Sequence, residues 1–389
     1  MPAQPHPDSA PRQPPVLPSH LPTLDGLRGL AIVLVLLHQL GDLDSGQGLV
    51  AYIAAFVISA GWTGVQLFFV LSGFLITGIL LDTQRATNYF SGFYARRALR
   101  ILPLYFGLLG LAFVVLPLAG LRVPAIEQDL PGQVWLWTFT ENWALAWGAG
   151  SSTFTHLWSL AVEEQFYLLW PLLMRGRTPT QCLRWCLAMT VFSLVLRCAM
   201  AWRVDTYVAY YYPTLCRMDA LALGGAVAAI LRLPVLREQW LAQPGRLLWA
   251  ALALLLVTTL ATHGLSHKSL SVQTVGFTAV ALAFALLLAA SAGADRIRSA
   301  APWAQVLRWP ALCALGRYSF AIYLMHKPLH DLVGRPLLAA QGGDLPHSLL
   351  LNGAYILASG AALCGMAALS YRWIEAPLLG LKRHFVPRI

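Results

Sequence analysis

Of 389 residues, 58% are apolar and 11% charged, against roughly a quarter charged in a soluble domain. The apolar residues are gathered in blocks of about 17 to 22, long enough to cross a hydrocarbon core of roughly 30 Å, which excludes an ordinary soluble domain and predicts a polytopic membrane protein. The net charge of +10 and pI near 9.6 do not mark a nucleic-acid binder, because the basic residues occupy short loops between apolar blocks and form no stripe.

Residues 1–23 contain eight prolines and one arginine, with no apolar core leading to a cleavage pattern. They read as a disordered cytoplasmic tail and not as a secretory signal. Ten spans follow, at 24–40, 62–81, 101–119, 157–174, 183–201, 217–231, 246–262, 270–291, 311–330 and 349–375. With the N-terminus inside, seventeen Lys and Arg residues fall in inner segments against four outside (Arg122, Arg203, Lys268, Arg335). That asymmetry predicts an all-α bundle of about ten transmembrane helices with both termini cytoplasmic. Segment 120–156 is a long outer loop whose Trp135, Trp137, Trp143 and Trp147 suit an interfacial or re-entrant element. One membrane domain is expected over 24–380, followed by a basic cytoplasmic tail over 381–389. The six cysteines lie in or beside spans; Cys182 and Cys186 share a helix face but lack the two further ligands zinc would need.

Ionisable residues inside spans cost about 2.5 to 3.5 kcal/mol each on insertion scales, so each is a functional candidate. In chain order they are Asp25, Arg28 and His38 in the first span, Glu163 and Glu164 in the fourth, Arg197 in the fifth, and Arg217 and Asp219 in the sixth. Arg317, His326 and Lys327 lie in the ninth, and Arg372 with Glu375 close the tenth as an i, i+3 pair. His38 suits a general base, since a neutral imidazole takes a hydroxyl proton at physiological pH; the competing reading is a hydrogen bond to a neighbouring helix. Arg97 and Arg100, three apart on one face, suit the phosphates of a nucleotide-bearing donor or are ordinary positive-inside charge. Glu163 orients or balances a histidine or arginine, or is paired for stability. Ser72 stands before a glycine that permits close helix approach.

Seven stretches carry a resemblance: LDGLRGLAIVLVLLHQL from Leu24, GVQLFFVLSGFLIT from Gly64, FYARRALRILPLY from Phe93, HLWSLAVEEQFYLLWP from His156, RMDALALGGAVA from Arg217, LGRYSFAIYLMHKPL from Leu315 and SYRWIEAPLLGLKR from Ser370. Together and in this order they resemble the acyltransferase-3 family of membrane acyltransferases, which includes bacterial O-antigen and exopolysaccharide O-acetylases. The resemblance implies a ten-span domain in the bacterial plasma membrane that takes an acyl group, usually acetyl, from cytoplasmic acyl-CoA to a glycan, a lipid-linked sugar or a small metabolite. It implies catalytic roles for His38, Arg28 and Glu163, and donor binding by Arg97 and Arg100. Asp25, Ser72, Tyr105, Arg217, Asp219 and His326 become substrate-binding or structural candidates. Larger members append a soluble esterase-like domain, which this chain is expected to lack. The family pattern sets the histidine eleven residues after the arginine, whereas His38 follows Arg28 by ten and Gln39 takes the eleventh place. On a helix Gln39 projects within about 20° of Arg28 and His38 about 80° away.

His38 lies roughly 15 Å deeper than Arg28 along one helix. A CoA ester suits that separation: its nucleotide stays at the arginine pair while the pantetheine arm carries the thioester inward. An acceptor hydroxyl deprotonated by His38 then attacks directly, with an acyl-histidine route as the competing version and Arg28 or Ser72 as oxyanion donor. This reading expects a continuous passage from the arginines to the imidazole, membrane lipid around the bundle, acyl-CoA as co-substrate, no nucleic-acid partner and no metal, although His326 and His330 stand at i, i+4. The alternative from another class is a sugar or metabolite transporter using the buried charges as a proton relay.

Overall fold

The structure is a computed structural model that describes residues 20–43, 48–340 and 349–388, so most of the expected tail over 1–23 lies outside the described residues. No strand occurs among the described residues. Ten long helices account for all ten expected spans. They are α1 (Pro22–Leu40), α2 (Thr63–Asp82), α3 (Tyr89–Leu118), α4 (Trp158–Met174), α5 (Pro179–Arg203), α6 (Thr214–Ile230), α7 (Pro244–Ala261), α8 (Val272–Arg296), α9 (Pro310–Leu329) and α10 (Leu349–Ser370). Among the described residues, eight helices are long and apolar enough to cross a membrane. The two that fall short are α4, which is 17 residues long and carries Glu163 and Glu164, and α9, which carries Arg317, His326 and Lys327. Glu163, Glu164 and His326 are turned into the bundle instead of towards lipid, whereas Arg317 is exposed. The chain is an all-α polytopic membrane protein.

Lipid supplies no hydrophobic drive between helices, so close backbone approach has to. Nearly every residue of α6 is buried, and it packs chiefly on α2 and α5. Gly73 and Gly224 make the α2–α6 crossing possible: a Cβ on Gly73 would lie 1.8 Å from the carbonyl oxygen of Leu221, and one on Gly224 would lie 1.9 Å from that of Val70. The close approach expected beside Ser72 is therefore real. Helix α1 packs on α9 and α2, and α7 on α8.

Two features depart from expectation. A twelve-residue apolar helix, Leu49–Ala60, lies between α1 and α2; it is too short to span, and its last turn delivers a carbonyl to His38. Residues 381–388, expected as a tail beyond the domain, fold back onto it. A tight turn over Leu381–Phe385 packs on α3. Beyond it, the Thr87 N–H donates to the Arg388 carbonyl at 2.9 Å, the Arg388 N–H to Asn88 Oδ1 at 2.9 Å and Asn88 Nδ2 to the Val386 carbonyl at 2.9 Å.

The Trp-rich segment folds into short helices, Pro124–Asp129, Gln133–Trp137 and Glu141–Ala146, around buried carboxylates. Asp129 accepts hydrogen bonds from the backbone of Ser152 and Thr153 and from the Ser151 hydroxyl. Glu141 accepts one from the Ser151 N–H at 2.6 Å.

Candidate active site

The first cavity opens around Arg28 of α1 and Arg97 and Arg100 of α3, at the end of the bundle that the charge asymmetry predicts to be cytoplasmic. It encloses about 690 Å³ of open space, and Glu163 contributes its carboxylate. None of these three arginines makes an ion pair among the described residues. Glu163 is engaged by hydroxyls: Ser72 donates to one carboxylate oxygen at 2.7 Å and Tyr167 to the other at 2.8 Å. The Tyr167 ring also lies under the Arg97 guanidinium at 4.9 Å. Lys382 on the folded-back segment is close enough to feel the charges of Arg96, Arg97, Arg100 and Arg28. Three guanidiniums facing one carboxylate leave a strongly positive cavity, the environment that phosphate groups require.

A second cavity, of about 500 Å³, lies at the opposite end and is lined by His38, His156, His267, Lys327, Trp158 and Tyr211 among others. His38 Nδ1 donates to the Ile58 carbonyl at 2.9 Å, and the His38 ring stands edge-on to His267 with centroids 5.5 Å apart. The hydrogen bond to a neighbouring helix that the sequence allowed is present, and the His38 ring also lines this cavity. His267, on the loop between α7 and α8, has its pKa pushed down to about 4, first by burial and then by the charges of His38, Lys268 and Arg217. Gln39 lines the same cavity.

The two cavities have no lining residue in common, and this corrects the expected continuous passage. They back onto each other across the start of α4. Ser159 and Tyr323 face the arginine side, while His156 and Trp158 face the histidine side. The partition is hydrogen-bonded: the Ser159 and Tyr323 hydroxyls lie 2.6 Å apart, and Tyr323 donates to the His156 carbonyl at 2.9 Å.

Other predicted residues divide by role. Arg28, Ser72, Glu163, Arg97 and Arg100 meet in the first cavity. Asp25 pairs with His20 at 2.8 Å, and Tyr105 donates to the Leu136 carbonyl at 2.9 Å while stacking on Phe139; neither lines either of these two cavities. Asp219 is paired not with Arg217 but with Arg197 of α5, at 2.7 Å, which supplies the partner Arg197 lacked in sequence. His326 is buried beside His156, with ring centroids 4.8 Å apart; its Nδ1 meets the Tyr323 carbonyl and its Nε2 has no partner. No metal-binding group of three or more side chains occurs among the described residues. Sequence reasoning overlooked Tyr167, Ser159, His156, Tyr323 and His267. Tyr167 was the findable one, standing four residues after Glu163 on a helix.

Comparison with known proteins bears directly on this site. The acyltransferase-3 family model, described as "Acyltransferase domain", matches residues 21–371. The chain belongs to the acyltransferase-3 family. Among its relatives, the O-acetyltransferase OatA of Staphylococcus aureus is 26% identical, aligned over 93% of this chain and 57% of its own length. The peptidoglycan O-acetyltransferase OatA of Listeria monocytogenes is 28% identical over 92% of this chain and 56% of its own, and the putative peptidoglycan O-acetyltransferase YrhL of Bacillus subtilis 27% identical over 92% and 55%. The chain thus spans little more than half the length of these relatives. No solved structure matches it.

Proposed function

We propose that this chain moves an acyl group, most simply acetyl, from acyl-CoA entering at the arginine-lined end to a hydroxyl of a glycan or lipid-linked sugar in the histidine-lined cavity, within a bacterial plasma membrane. Arg97 and Arg100 hold the nucleotide phosphates, and the pantetheine arm extends past Phe68 towards Tyr323. His38 spends Nδ1–H on the Ile58 carbonyl, which leaves the lone pair of Nε2 to accept a proton. The acceptor oxygen bonds to the acyl carbon, the C–S bond breaks, and the hydroxyl proton passes through His38 to the departing thiolate, giving ester and free CoA. Ser72 donates to Glu163 and Arg28 lines the arginine side, so neither stands beside the oxyanion of a thioester attacked next to His38. Thioester and His38 come together only when Tyr323 and Ser159 move apart, a conformational step of the kind that gates many transferases.

The observation that carries the reading is the arginine triad with a single carboxylate, backed across one hydrogen-bonded partition by a histidine-lined cavity. The acetyltransferase relatives support it, and the transporter alternative gains nothing from them. The test is transfer of label from radiolabelled acetyl-CoA to glycan in membranes containing the protein. Transfer is expected with the wild type and lost with His38→Ala; equal labelling by both would remove His38 from the mechanism.

A further inference from the structure

The cavity lined by His38 has an unusual electrostatic setting. Directly behind its Trp158 and Tyr211 walls lies the guanidinium of Arg217, 1% exposed. It sits 4.1 Å from the Phe277 ring centroid, 5.1 Å from that of Tyr211 and 5.5 Å from that of Trp158. Its one hydrogen bond goes from Nη2 to Gln66 Oε1 at 2.7 Å, and Nε and Nη1 have no partner. Asp219, the nearest acid, is committed elsewhere: it accepts from Arg197 at 2.7 Å, from Thr278 at 2.7 Å and from the Ala220 N–H at 2.9 Å. Two cations therefore share one carboxylate, and Arg217 carries the surplus. Its place in the first turns of α6 adds the positive end of the helix dipole to its own charge.

The cavity wall does not offset that charge. Its ionisable members are His38, His156, His267, Lys327 and the tyrosines, with no carboxylate. Lys327 is held by Asp331 on the next turn. Glu141, near Tyr212, has its pKa pushed up to about 8, chiefly by burial, and stays protonated near neutrality. A buried cation without a counter-ion is costly and persists where something else meets it, and low-dielectric walls focus its field into the adjoining cavity. Trp158, Tyr207, Tyr211 and Tyr212 supply flat apolar faces with polar edges, which suit a sugar ring.

We propose that the acceptor cavity selects an anionic sugar, a ring bearing a carboxylate or phosphate, with Arg217 setting its preference for negative charge. This rests on the reading of that cavity as the acceptor site, but its test needs no donor. The purified protein in neutral detergent is titrated calorimetrically, without acyl-CoA, with methyl β-glucoside, methyl β-glucuronide and glucose 6-phosphate. The last two distinguish carboxylate from phosphate as the charged group. At least one anionic sugar is expected to bind tenfold or more tighter than the neutral glucoside, with a preference that weakens as salt rises. In Arg217→Gln the preference should fall to within twofold, while the unfolding temperature stays at or above that of the wild type, because an unneutralised charge has been removed. Equal binding of neutral and anionic sugars, a preference that survives Arg217→Gln, or no binding of any of the three would each overturn the proposal. Should Arg217→Gln fail to fold, the wild-type preference and its salt dependence still decide. Acyl-CoA binding, measured separately, bears only on the arginine-lined cavity.

Discussion

Tyr323 donates its hydroxyl hydrogen to the carbonyl oxygen of His156 at 2.9 Å, and that bond closes the wall between the two cavities. The Tyr323 hydroxyl oxygen also lies 2.6 Å from Ser159 Oγ, so one phenol ties α9 to the turn before α4 and to the start of α4 itself. A thioester resting on the arginine side is thereby shielded from whatever occupies the histidine side. Tyr323→Phe keeps the ring and its edge-on contact with Phe68 but removes the latch, at a cost of about 1 kcal/mol for a net hydrogen bond. Release of CoA thiol from acetyl-CoA in the absence of acceptor should rise several-fold. An unchanged hydrolysis rate would mean that the hydroxyl does not hold the wall shut.

Arg97→Ala with Arg100→Ala should raise the KM for acetyl-CoA at least tenfold, since hydrogen bonds to charged groups contribute about 1.5 to 3 kcal/mol each. Acetyl-pantetheine lacks the nucleotide phosphates and should be used equally well by wild type and double variant. If both donors suffer alike, these arginines support the fold and not the nucleotide.

Most of the spans were legible because lipid imposes a length and an apolarity that eight of the ten blocks meet alone, and because the basic loops mark one side. Which side chains meet was not. Ser72 and Glu163 are 91 residues apart in sequence, and Asp219 finds Arg197 on α5, not its near neighbour Arg217. Such pairings depend on the Gly73–Gly224 crossing and its like, which no single segment encodes. The angular offset between Arg28 and His38 was readable on a helical wheel. Its consequence, that the two residues face separate cavities, needed the position of α4.

His38→Ala should lower acyl transfer by about 10² to 10⁴-fold, the usual range for losing a general base, while leaving acetyl-CoA binding within twofold. A companion change tests placement without touching the imidazole. A Cβ on Gly61 would lie 2.3 Å from the Leu34 carbonyl oxygen and 2.9 Å from the His38 Cβ, so Gly61→Ala must push α1 and its histidine away from the Ile58 carbonyl. Turnover should fall at least tenfold with KM for acetyl-CoA unchanged. Retained turnover in Gly61→Ala would show that the exact seat of His38 is unimportant.

The outer loop carries a pH dependence of its own through Glu141, whose pKa is pushed up to about 8 by burial and by Asp129, against the lowering effect of the Ser151 N–H. A carboxyl with a raised folded pKa holds more protons in the folded than in the unfolded state between about 4.5 and 8, so its contribution to stability is complete below that window and is lost as pH rises through it. The unfolding temperature of the wild type should therefore decline from pH 5 to pH 8.5. Glu141→Gln cannot ionise and keeps an oxygen for the Ser151 N–H, so its decline should be shallower and its unfolding temperature at pH 8.5 the higher of the two. Parallel curves for the two proteins would show that Glu141 is ionised in the folded state throughout, and that its charge is met by a partner other than the Ser151 backbone.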